Sequence, residues 1–173
     1  MKKIYIVLTY TGSVLSRIIR LYTGKEYSHV SISLDENLES MYSFGRINAY
    51  NPFFAGFVQE SPKFGTFKRF NKAITKIYSL EVSNKDYDII KNIIDDFNSK
   101  KDVYRFNMLG LTAVMFNQRI KRKNHYYCAE FVKYVFDNTS LKIDIPEIAR
   151  PMDFDKIKGT EEVYKGYLSE YKM

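Results

Sequence analysis

A chain of 173 residues, 45% hydrophobic and 27% charged, is sized for one domain with one core, and its 8 glycines and 4 prolines exclude collagen-like and disordered classes. The 27 Lys+Arg against 20 Asp+Glu leave a net charge of +7, which favours anionic surroundings without specifying nucleic acid. A single cysteine excludes a disulfide framework and a Cys-rich zinc site, so Cys128 acts as a thiol or not at all.

In chain order, residues 3 to 9 are β-branched and aromatic on both faces, as in a strand covered on both sides. The apolar run Ile4 to Leu8 ends at Thr9, too short for a secretion signal or for the roughly 20 residues of a membrane span, and the expected location is the cytoplasm. Val14, Leu15, Ile18, Ile19 and Tyr22 follow helical spacing, with Ser13 as N-cap and Gly24 as C-terminal cap. Ser28 to Leu34 alternates strictly, with Val30, Ile32 and Leu34 on one face and His29, Ser31 and Ser33 on the other. Asp35-Glu36-Asn37 supplies a turn, and Met41 to Phe44 completes an antiparallel hairpin; pairing Leu34 with Leu38 brings His29 opposite Ser43.

Between Gly45 and Gly65 the pattern weakens to a long loop with one short strand at Phe57 to Glu60. Strands are expected at Thr66 to Phe70 and Thr75 to Val82, then an amphipathic helix from Asn84 to about Lys100. Asn107 to Phe116 reads as a buried helix, followed by the basic run Arg119 to Lys123. Cys128 opens a helix whose stripe is Phe131, Val132, Val135 and Phe136, and Glu161 to Tyr171 fits either a helix or an edge strand. Without repeats or linkers, residues 1–173 form a single domain, of α+β class, with an antiparallel sheet of five or six strands packed by helices.

A helix start stabilises a thiolate, the reactive form of cysteine, and a nearby imidazole can take and return its proton. The chain has two histidines. His29 lies on the polar face of a strand, and His125 lies just before the Cys128 helix. On residue type alone a buried cysteine and a half-exposed histidine are the plainer readings.

The strings Thr11-Gly12-Ser13, Tyr27-Ser28-His29-Val30-Ser31-Ile32 and Tyr126-Tyr127-Cys128-Ala129-Glu130-Phe131-Val132 shift that balance. Their order resembles the circularly permuted branch of the NlpC-type papain-like cysteine hydrolases, of which lecithin retinol acyltransferases are relatives. That branch has a histidine strand first, a polar residue on a following strand, and the cysteine at the start of a late helix. Ala129 stands where the family commonly has Ser, and Arg150 to Asp153 resembles its Pro-containing tail.

The resemblance implies a papain-like fold with Cys128 as nucleophile, His29 as base and a third residue orienting the imidazole; the hairpin register selects Ser43, with Glu39, Glu60 and Tyr42 as alternatives. The Cys128 amide is an expected oxyanion donor, and Tyr10 and Tyr127 are candidates for a second. The implied activity is hydrolysis of an amide or ester bond through a thioester, on a peptide, amide or lipid-ester substrate. Acyl transfer to lipid and a catalytically silent ligand-binding domain are the alternatives. No cofactor is called for, and His29, His125 and Cys128 lack the spacings of a metal site. The basic run is either solvated surface or an attractor of anionic groups, including a peripheral anionic surface, and no aromatic-basic interleaving points to nucleic acid.

Overall fold

The structure, a computed structural model, describes residues 1–155 and 157–171. It is α+β, with one eight-stranded open sheet in the order β7-β6-β4-β3-β2-β1-β5-β8. The strands are β1 (Lys2–Tyr10), β2 (His29–Ser33), β3 (Met41–Asn48), β4 (Asn51–Glu60), β5 (Ile74–Val82), β6 (Arg105–Phe106), β7 (His125–Tyr126) and β8 (Thr160–Tyr167). The helices are α1 (Val14–Thr23), α2 (Gly65–Arg69), α3 (Asn84–Ser99), α4 (Met108–Met115) and α5 (Cys128–Asp137). All strand pairs are antiparallel except β6–β7, so the sheet is mixed and exceeds the five or six strands expected.

The extra strands are the ones with the weakest sequence signal. β6 and β7 span two residues each, too few to show any alternation. β4 runs through Asn51-Pro52, turn-type residues that make this stretch read as a loop, because its pairing with β3 outweighs local propensity. Thr66 to Phe70 alternates like a strand, yet Gly65 at φ 61 opens the five-residue helix α2, whose Phe67 is the buried residue. α1 follows the sequence closely: Ser13 caps its N-terminus by accepting from the Ser16 amide, and Gly24 ends it in the left-handed region. α3 is capped by Ser83 rather than Asn84. α4 is only partly buried: Gly110, Ala113 and Val114 face the protein, while Leu109 and Phe116 face solvent.

α3 and α5 pack on one sheet face against Ile4, Ile6, Leu8, Val30, Ile32 and Phe44. The other face buries a smaller cluster that includes Val7, Met41, Phe67 and Ile77. β1 and β5 pair continuously from Lys2–Val82 to Tyr10–Ile74. β2 and β3 pair only at Ile32–Tyr42 and Ser33–Met41. Ile32 was expected opposite Ser40, so the true register is shifted by two residues, an even shift that keeps every side chain on its face but removes Ser43 from His29. Among the described residues no helix is long and apolar enough to cross a membrane.

Candidate active site

Where the β2–β3 ladder stops, a cleft opens. Its lining includes Cys128 and Phe44, which belong to the first core cluster, and Phe67, which belongs to the second. Residues from both faces of the sheet therefore meet in this gap. The Val30 carbonyl accepts instead from the Ser43 hydroxyl at 2.7 Å. That bond engages Ser43 in holding β2 against β3 and corrects its expected role as the residue that orients His29.

The orienting position is filled by Glu60, the last residue of β4. Its Oε2 lies 3.0 Å from His29 Nε2 and accepts from the Ser31 hydroxyl at 2.6 Å, while the Ser31 oxygen lies 3.2 Å from the same ring nitrogen. β3 lies between β4 and β2, so the carboxylate must cross it. Gly45 makes the crossing possible: a Cβ there would sit 3.0 Å from Glu60 Oε1 and 3.5 Å from His29 Cε1. The Glu60 side chain is 6% exposed and that of His29 18%, so this pair is shielded from water without being closed to it.

Burial alone would lower the His29 pKa. The Glu60 charge, hydrogen bonds with Cys128 and Glu60, and the Cys128 charge outweigh it and raise the value well above the usual 6.5. The ring of His29 thus has a strong tendency to gain and keep a proton where it lies between Cys128 and the Glu60 carboxylate. Cys128 itself is 5% exposed and is the first residue of α5, so its amide is among those with no partner inside the helix.

Five other candidate residues lie elsewhere. Tyr127 is buried and its hydroxyl donates to the Ala149 carbonyl at 3.0 Å, so it caps no oxyanion. Tyr10 lies under the Arg20 guanidinium, 4.7 Å from ring centroid to Cζ, rather than in the cleft. Glu39 pairs with Lys63 on the surface, and Tyr42 stacks on Phe57 in the first core cluster. His125 donates through Nδ1 to the Lys123 carbonyl at 2.7 Å, outside the cleft. Among the described residues no three His, Cys, Asp or Glu side chains are grouped to hold a metal ion.

Ser31 and Arg46 enter the site without having been singled out. Ser31 shares the His29 face two residues along β2, a signal visible in the alternation. Arg46 lines the cleft and its Nη2 donates to Ser13 Oγ at 2.7 Å. Burial, then the Arg69 charge, lower the Arg46 pKa, yet it remains the cation at the cleft wall. The other lining residues are mostly apolar or hydroxyl-bearing, among them Leu15, Ile19, Phe106, Leu111, Thr11 and Ser16. The arrangement can activate a thiol, hold an anionic group beside it and accommodate an apolar moiety. Comparison with known proteins adds no relative: no family model matches the chain, and no curated protein or solved structure matches it.

Proposed function

We propose that the protein is a thiol hydrolase of papain-like type, cleaving an amide or ester bond through a thioester on Cys128. The observation that supports this reading is the convergence, in one cleft, of a cysteine at a helix start with a histidine held by a buried carboxylate. An ionised carboxylate only accepts hydrogen bonds, so Glu60 fixes the proton on His29 Nε2 and leaves Nδ1 to exchange a proton with the thiol. The Cys128 proton passes to Nδ1, and the thiolate attacks the carbonyl carbon. The oxyanion that forms is met by the Cys128 amide. The C–N or C–O bond breaks, the leaving group takes the proton from His29, and water deprotonated by the same ring hydrolyses the thioester. A silent ligand-binding domain would have no use for the Glu60 carboxylate at His29, and its presence there weighs against that alternative.

The test is the rate at which iodoacetamide alkylates Cys128 near neutral pH, in the wild type and in His29→Ala. Removing the ring is expected to slow alkylation by about a hundred-fold, the scale of a positioned proton acceptor. Equal rates in the two proteins would remove the catalytic pair.

A further inference from the structure

α1 carries an apolar stripe on the wrong side. Val14, Ile18 and Leu21 recur at helical spacing, yet they point to solvent, with Val14 75% and Leu21 83% exposed. A surface helix ordinarily turns such a stripe inward. At the tip of the β3–β4 hairpin, Tyr50 and Phe53 are also exposed, Phe53 to 86%. These side chains line one groove with Val14 and Ile18, together with Arg17, Arg46 and Arg69. Beyond it, Tyr22 of α1 meets Phe116 at the end of α4, ring centroids 6.4 Å apart, and Leu109 of α4 is exposed too. The apolar surface is therefore continuous over three elements, and it shares Ser13, Leu15 and Arg46 with the lining of the Cys128 cleft.

The charge on these elements is of one sign. Residues 11–25, 40–59 and 103–129, which contain α1, the hairpin tip and α4, hold no Asp or Glu, although the chain has 20. They hold Arg17, Arg20 and Lys25 in the first segment, Arg46 in the second, and five basic residues from Arg105 to Lys123 in the third, of which Arg119 is paired with Glu147. The cations at the patch touch rings and oxygens without charge: Arg20 lies over Tyr10, Arg69 over Tyr50, and Arg46 on the Ser13 hydroxyl. A second copy of this chain seated on the patch would set this positive charge against itself. Large aliphatic and aromatic side chains among arginines, free of carboxylates, match instead the boundary between lipid head groups and acyl chains.

We propose that this face docks the protein on an anionic lipid bilayer, so that the Cys128 cleft opens at the membrane surface. The inference stands on exposure and charge, independently of whether Cys128 reacts. It is tested by co-sedimentation with vesicles of phosphatidylcholine alone and of equal parts phosphatidylcholine and phosphatidylglycerol, using wild type, Leu21→Glu, Phe53→Glu and Cys128→Ala. Both glutamate substitutions fall on exposed side chains, so folding is preserved. Wild type and Cys128→Ala are expected to sediment with the anionic vesicles and to be released by salt, and each glutamate variant to bind roughly ten-fold or more weakly. Wild type remaining in the supernatant with anionic vesicles overturns the proposal, as does undiminished binding by the glutamate variants. A dimer in solution that Leu21→Glu dissolves would assign the patch to self-association and overturn it as well.

Discussion

The two halves of the sheet are built to different standards. From β1 to β5 the ladder runs without interruption over nine residue pairs, and the residues it aligns, such as Ile4, Ile6, Leu8 and Ile77, are fully buried. From β2 to β3 it holds for two pairs and then gives way to a side-chain bond from Ser43. The chemistry-bearing residues all gather at the break. Continuous pairing satisfies the backbone but leaves no opening between strands, whereas an interrupted ladder lets a histidine, a carboxylate and a helix-borne thiol meet across the sheet. Stability and site geometry are thereby assigned to different strands.

That division is easiest to break from the regular side. Ile6→Ala removes a fully buried side chain from β1 and is expected to cost about 2–5 kcal/mol in chemical denaturation, while the alkylation rate of the folded fraction stays at the wild-type value. From the open side, Glu60→Ala should slow alkylation of Cys128 by about a hundred-fold, with Glu60→Gln intermediate because an amide oxygen still accepts from Nε2 without supplying charge. Gly45→Ala should act in the same direction, since its Cβ presses on Glu60 Oε1 at 3.0 Å; the carboxylate must move, and the pH profile of alkylation should move with it. Ser43→Ala leaves the buried Val30 carbonyl unpaired at a cost of about 1–3 kcal/mol, without slowing the alkylation of the folded protein. A loss of thiol reactivity in that variant would return Ser43 to the site.

The smallest effect is in pH. The His29 pKa is raised in the folded state, so its pairing stabilises the fold in full at and below the ordinary value of 6.5, and that contribution fades as pH rises through the raised value. The melting-temperature advantage of wild type over His29→Gln should shrink along that interval, and an advantage that grows with pH would contradict the charge assignment.

The elements with a complete local signal were legible in the sequence. α1 has its cap at both ends, α5 its apolar stripe, and β2 its alternation, which placed His29 and Cys128 in their correct settings. β4 and the site's carboxylate were not, because both depend on tertiary pairing. Glu60 is the only acidic residue between Glu39 and Glu81, but nothing local shows that it reaches over β3; that follows from a glycine at position 45 and a register set by the whole hairpin. The even slip in register misassigned Ser43 while leaving every face correct, which is why the polar face of β2 was read properly and its partner was not.

The bond from the Tyr127 hydroxyl to the Ala149 carbonyl ties the residue before Cys128 to the connector that follows α5. On a growing chain this sets an order of assembly. The strands that carry His29 and Glu60, β2 and β4, are synthesised long before α5, and α5 is complete before Ala149 exists. A nascent chain that has reached Asp137 therefore carries His29, Glu60 and Cys128, with the bond from Tyr127 to Ala149 not yet made. The contact that fixes the start of α5 is thus made by a residue downstream of the whole helix.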